Sequence, residues 1–400
     1  MHLTREEERI LAGELGWAKA RALEVIVKVG EAVGAEKLVK ISHAHVSGAS
    51  YMTIGEAGRR FLEELAKAGA RVEVPTTVNP VSYDIEDPES IPYTRIDSKV
   101  LKGQQAIMKA LESMGVKLTL TCTPYYLDEL KRVVKQGEHV AWGESNAVAY
   151  ANSVLGVWTN REGGPLALLA AIAGRTYYYG PHVPEWRRPV AAFRLSRYKP
   201  LDSAEAGVLG YIVAREHKSE RPPLVDAWFG GEGPLKEFLA AIGTASNLAM
   251  AYIPGITPLE PGNEFEEVID LSEEDLKREM ERLAPPGKPE IIYIGCPHSS
   301  THELRELLLA LKSRGKPKVE IVVSISRGLF TKALKEGLVD ALRSYRVRFI
   351  KDTCLIVSPF SKYGKDVVIA TNSYKAYHYL SRKGVKVGIA SIKDMVAMAL

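Results

Sequence analysis

Cysteine occurs only three times in the 400 residues, glutamine three times and asparagine seven, and no long hydrophobic run is present. An odd, low cysteine count argues against the disulfide framework of a small secreted domain. The longest uninterrupted apolar stretch, Leu166 to Ala173, falls far short of the roughly 20 residues that cross a bilayer. The amino terminus has no basic segment followed by an apolar one, so no secretory leader is expected and the protein reads as cytoplasmic. Excess charge is missing too: 53 Lys and Arg against 49 Asp and Glu leave +4, evenly interspersed. Nucleic acid and membrane are therefore not expected as main partners. Few amides among abundant charged residues fit a thermophilic source.

What remains is an ordinary globular composition, 46% apolar and 26% charged, long enough for two or three domains. Thr4 and Glu7 are spaced as a capping box opening an amphipathic helix over about 5–33. A strand near 37–45, the turn Ser47-Gly48-Ala49-Ser50, a helix over 54–68 and a strand at 71–74 that reaches Asn79-Pro80 follow as a βαβ unit. Helix 98–113, a strand ending at Cys122, helix 127–135 and a strand at 139–142 continue the alternation, which predicts α/β architecture with parallel or mixed sheets. Residues 174–233 turn rich in Tyr, Arg and Pro and read as an irregular insertion in an N-terminal α/β region spanning 1–255. Proline and glycine clusters around an acidic helix make 256–288 the expected linker, and strand and helix units return in a C-terminal α/β domain, 289–400.

The three cysteines share a setting. Cys122, Cys296 and Cys354 each follow a β-branched or aromatic run and precede a loop, and carboxyl ends of parallel strands are where ligands bind. One reading is three small buried hydrophobes. They are too far apart in sequence for a local zinc knuckle, so they meet only through the tertiary fold. If they meet, soft thiolates favour an iron–sulfur cluster or zinc. Three ligands would leave one corner of a 4Fe-4S cube open to act as a Lewis acid, whereas electron carriers fill all four. His43, His45 and His298 offer a further, less favoured zinc set.

Polar residues stand at the same kind of position. Ser47-Gly48-Ala49-Ser50 could present backbone N–H groups to an anion at a helix start, or be a plain turn. Asn79-Pro80 leaves the next strand. Glu144 and Ser145 open a helix, either as simple caps or, for Glu144, as an acid–base or orienting carboxylate. Thr371-Asn372-Ser373-Tyr374-Lys375 repeats the theme, Lys375 being suited to a phosphate or carboxylate. Neither a nucleotide-binding glycine motif nor a Ser-His-Asp set is evident.

Together with Cys122-Thr123-Pro124, Gly143-Glu144-Ser145-Asn146 and Cys296-Pro297-His298, these motifs resemble, in order and over nearly the whole chain, those of the aconitase X family. The resemblance implies aconitase-like catalytic α/β domains without the swivelling small domain. It implies a hydro-lyase whose cluster, most simply 4Fe-4S with one open iron, is held by Cys122, Cys296 and Cys354. Gly48, Ala49, Ser50, Asn79, Pro80, Glu144, Ser145 and Lys375 would line the substrate pocket, Glu144 and Ser145 taking part in catalysis. A separate swivelling-domain subunit would supply a serine base. The implied substrate is a phosphorylated hydroxy acid, (R)-5-phosphomevalonate, dehydrated to trans-anhydromevalonate 5-phosphate in the archaeal isoprenoid route. The alternatives are cis-3-hydroxy-L-proline dehydration and a non-catalytic metal-cluster scaffold.

Overall fold

A computed structural model of the chain describes residues 1–262 and 264–400, Lys131 without its side chain. Asn263, in the stretch expected as a linker, lies outside the described residues. Val- and Ile-rich runs supply the strands, because β-branched side chains pack well on a pleated, buried surface. In the first segment these are β1 (Leu38–Lys40), β2 (Ala44–Val46), β3 (Thr76–Val78), β4 (Ala141–Trp142) and β5 (Arg175–Tyr177). The second holds β6 (Ala191–Leu195), β7 (Pro223–Asp226) and β8 (Glu267–Leu271). The third holds β9 (Ile291–Ile294), β10 (Glu320–Ile325), β11 (Val347–Lys351), β12 (Val368–Thr371) and β13 (Lys386–Ile389).

Three sheets are parallel, ordered β3-β2-β4, β7-β6-β8 and β11-β10-β9-β12-β13, while β1 and β5 form a small antiparallel pair. The fold is thus mixed α/β with parallel sheets. Buried on both faces, β9 (Ile-Ile-Tyr-Ile) centres the largest sheet, whose strand order reverses between β9 and β12. Crevices at the carboxyl ends of strands flanking such a reversal are the usual ligand sites of open α/β sheets. Among the described residues no helix is long and apolar enough to cross a membrane.

Several local expectations are corrected. The helix foreseen over 5–33 is two, Arg5–Leu11 and Trp17–Ala32, parted by a turn through Gly13 and Gly16, although the Thr4–Glu7 capping box is present. No strand forms at 71–74; the chain joins the sheet later, as β3. The run before Cys122 follows β3 through Lys117 and Thr121 backbone bonds, but Leu120 sits at φ +48° and breaks the ladder. Within 174–233, strand β6, helix Ser203–Glu216 and β7 form a βαβ unit, and β8, inside 256–288, joins β6 in register.

Gly295, between β9 and Cys296, has φ +111°, and a Cβ there would lie 2.2 Å from the Ser324 carbonyl oxygen of β10. Backbone on one side and a left-handed φ on the other leave no side chain a place. Gly295→Ala is expected to destabilise the chain by more than about 1 kcal/mol, read as a lower denaturant midpoint at unchanged slope.

Candidate active site

The carboxyl ends of two parallel sheets meet. From the first sheet come the Ser47–Ser50 turn after β2, Asn79 after β3 and Glu144 after β4. From the second come Cys296 after β9, Cys354 after β11 and Lys375 after β12. Cys296 and Lys375 therefore flank the strand-order reversal. The loops are stitched across the junction: Val81 N–H donates to Asp352 O, Thr353 Oγ1 to Val81 O, and Ser50 Oγ to Val357 O.

Glu144 occupies the N-cap position of helix Ser145–Tyr150, yet its side chain makes no capping bond. It reaches instead to Asn79, whose Nδ2 donates to Oε2, and to the Lys375 ammonium, which donates to Oε1. Lys375 Nζ also donates to Asn146 Oδ1 at 2.6 Å and to Ser145 Oγ at 3.3 Å, and Asn146 Nδ2 donates to Cys122 O at 2.7 Å. Since a carboxylate only accepts, Asn79 turns its amide nitrogen to Glu144 and its oxygen to His45. His45 must then carry its proton on Nε2, 2.8 Å from Asn79 Oδ1, while Thr77 Oγ1 donates to Nδ1, also at 2.8 Å. Burial holds His45 neutral, at about 4. Two runs of donation thus meet at the carboxylate: Thr77 to His45 to Asn79 to Glu144 from one side, and from the other Lys375, which donates both to Glu144 and to Asn146 and so on to the Cys122 loop.

Burial alone would push the Glu144 carboxyl up. Lys375 and Asn79 together outweigh it and hold it at about 2, so it is ionised at any working pH. Burial, the largest single effect, would pull the Lys375 ammonium down, but Glu144 with smaller contributions from Tyr379, Cys296 and Cys122 outweighs it and raises its pKa. The pair is a fixed zwitterion with side chains only 8% and 13% exposed.

All three cysteines are free and buried. Burial pushes the Cys122 thiol up to about 12, with Glu144 adding to the push and Lys375 opposing it. Burial also drives Cys296 well up, its neighbours Cys354 and Cys122 adding to it, and raises Cys354. The His298 N–H donates to Cys122 Sγ at 3.3 Å. A single ion bonded at about 2.3 Å per sulfur needs donors almost in contact. Among the described residues no three His, Cys, Asp or Glu side chains converge that closely. Cys122 and Cys296 are each raised by a neighbouring thiol, and three soft thiol donors are the ligand type that iron–sulfur groups select. Because metals bind thiolates, any metal group held by these thiols must expel their protons on loading, so metal uptake is expected to strengthen from pH 6 to pH 8, checked by metal content after anaerobic reconstitution.

The structure thus brings Asn79, Glu144, Ser145 and Lys375 into one network. Ser50 is committed elsewhere: its hydroxyl caps helix Tyr51–Lys67 and bonds Val357 O and Ser82. Ala49 offers its carbonyl to Gln104 Nε2, and Gly48 turns the chain at φ +71°. Pro80 stands between Asn79 and the bridging Val81 with no polar contact of its own. The zinc alternative fails, because both His45 nitrogens are engaged, His43 Nδ1 accepts from Trp142 Nε1, and His298 spans Thr121 Oγ1 and Thr353 O. Sequence reasoning missed His45 and Asn146 as members of the network. Asn146 stood in a quoted motif, and the His43/His45 spacing drew attention to metal ligation instead.

Comparison with known proteins agrees with this architecture. Residues 1–185 match the model of the aconitase X first domain, 191–281 the second and 289–400 the third. The chain belongs to the aconitase X family. It is 62% identical to the phosphomevalonate dehydratase large subunit of Aeropyrum pernix, with 99% of each chain covered. The crystal structure of Thermococcus kodakaraensis aconitase X in its holo form superposes with a TM-score of 0.90 at 36% identity, all of both chains covered. A cis-3-hydroxy-L-proline dehydratase of Pseudomonas aeruginosa is 31% identical, the match covering 93% of this chain and 65% of that protein.

Proposed function

We propose that the chain is the large subunit of an iron–sulfur hydro-lyase that converts (R)-5-phosphomevalonate to trans-anhydromevalonate 5-phosphate, working with a separate small subunit of the swivelling-domain type. The observation that carries this reading is the junction of the Glu144–Lys375 zwitterion with three buried thiols, two at strand ends of the five-stranded sheet and Cys122 on the facing loop. Full-length similarity at 62% to a phosphomevalonate dehydratase large subunit selects the substrate. Three free thiols fit a reducing compartment, the cytoplasm. Cys122, Cys296 and Cys354 would hold a 4Fe-4S cluster. Bound there, the cluster supplies a Lewis acid that weakens the bond to the tertiary hydroxyl.

The residues do the rest. Glu144 cannot donate a proton when ionised, so its role is to accept: Oε2 keeps a lone pair free of Asn79 for the substrate hydroxyl. All three Lys375 N–H groups are used, and the 3.3 Å bond to Ser145 is the one a substrate oxygen would displace. That gives the substrate one donor and one acceptor in fixed relation, the orientation from which much of catalysis derives. Gly48 and Ala49, at the turn after β2, with Asn79 and Pro80 after β3, form the adjoining wall.

The test is anaerobic reconstitution with the small subunit and assay of both (R)-5-phosphomevalonate and cis-3-hydroxy-L-proline by NMR. Dehydration of the first only is expected. Turnover of the proline acid alone, or of neither by an iron-loaded complex, would refute the assignment.

A further inference from the structure

Helix Glu232–Ala245 belongs to the second segment yet packs against the site helix that opens at Ser145, where a Cβ on Gly243 would lie 2.8 Å from the Ser145 carbonyl oxygen, and a Lys-Glu pair such as its Lys236-Glu237 belongs by default on a solvated surface. Both side chains are fully buried. Lys236 Nζ sits 2.6 Å from Glu303 Oε2 and 3.2 Å from Glu237 Oε1, and donates to Pro297 O at 3.2 Å and His298 O at 3.4 Å. Ser373 Oγ donates to the preceding carbonyl, Cys296 O. The three successive carbonyls of Cys296-Pro297-His298, in a turn with no strand or helix partner, are thus all satisfied from outside the turn.

That turn is the hub of the thiol site. Its His298 N–H reaches Cys122 Sγ, the His298 ring accepts from Thr121 Oγ1 beside the Cys122 loop, and Nε2 donates to Thr353 O beside Cys354. Burying an ammonium costs several kcal/mol before pairing, and an apolar side chain would fill the space more cheaply. What an apolar side chain cannot do is fasten two adjacent carbonyls and a carboxylate at once. Glu303 completes the arrangement: it caps helix Thr301–Arg314 through Ser300, and its Oε1 accepts from Asn372 Nδ2, which precedes Ser373.

We infer that Lys236 is a positioning residue that fixes the Cys296-Pro297-His298 backbone from the second segment, keeping the Cys296 thiol in place beside the Cys122 loop for cluster binding. The inference rests on Cys296 being a cluster ligand, as proposed above.

The test uses Lys236→Met/Glu237→Gln/Glu303→Gln in the full chain, which removes the buried cation and both carboxylates it pairs with and leaves no lone buried ion. Lys236→Gln/Glu237→Gln/Glu303→Gln, which keeps a polar side chain at 236, is the second variant. Folding is checked by circular dichroism. Two readouts follow: alkylation of Cys296 in the iron-free protein, by mass spectrometry, and iron retention against a chelator after anaerobic loading. At least one folded variant is expected to show Cys296 alkylated about 10-fold faster, with Cys354 little changed, and iron lost about 10-fold faster. Folded variants with wild-type alkylation and iron retention would overturn the inference. So would failure of both variants to fold, which would make Lys236 a requirement of the fold as a whole. If instead the unmutated chain takes up no iron while the variants still expose Cys296, the cluster proposal fails and the backbone brace stands.

Discussion

Serine in place of any one of Cys122, Cys296 or Cys354 is expected to lower dehydration by the reconstituted complex at least about 10³-fold, with iron content falling in parallel. The three thiols come from three different loops, those after Thr121, β9 and β11, so none can substitute for another. A hydroxyl is a harder and far less acidic ligand than a thiol, and soft thiolates are what iron–sulfur groups select. The apoprotein should fold nearly as well as wild type, since each exchange is almost isosteric and the thiols make few bonds, Cys122 accepting among the described residues from the His298 N–H. Activity and iron should therefore fall while the melting temperature of the iron-free chain changes little. A serine variant with full iron and full activity removes that cysteine from the ligand set.

Lys375→Met is the second large effect. Losing a fixed donor aimed at a reacting substrate typically costs 10²- to 10³-fold in kcat, and about that loss is expected here. The variant should also be less stable by about 3–5 kcal/mol, because Glu144 is left as an unpaired buried charge. Adding Glu144→Gln should restore most of the stability and none of the activity, which separates the structural from the catalytic role. The pH dependence has a defined sign. Glu144 is held at about 2 in the folded protein, so its pairing stabilises the fold above the usual carboxylate range and is lost as pH falls toward 2. In Lys375→Met, burial is no longer outweighed and the carboxyl pKa rises. A new acid limb should then appear in the kcat profile where wild type is flat. Full activity in the double variant would contradict the account of this pair.

Much of the site was legible because it lies where strands end. The runs before Cys296 and Cys354 are β-branched and apolar, and so are read as buried strands whatever surrounds them. The Cys122 run looked the same but is no regular strand, since the left-handed Leu120 depends on how the segment meets β3 rather than on its own composition. Glu144 was visible at a helix start, but its ionisation was not: that depends on Lys375, 231 residues away. Lys236 shows the limit most sharply. A Lys-Glu pair in a helix belongs by default to the surface, and only the packing of that helix against the β9 turn turns it inward. The fold class, set by alternation of strand and helix, needed no such long-range information.

Three cysteines of this chain are proposed to hold an iron–sulfur cluster with one iron left open. Iron and acid-labile sulfide are to be counted per chain, with an electron paramagnetic resonance spectrum, on protein purified without oxygen. About four irons and four sulfides per chain are expected, with the spectrum perturbed when (R)-5-phosphomevalonate is added to the complex. Absence of iron and sulfide after anaerobic reconstitution, in a chain that is folded and has three free thiols, would contradict the proposal.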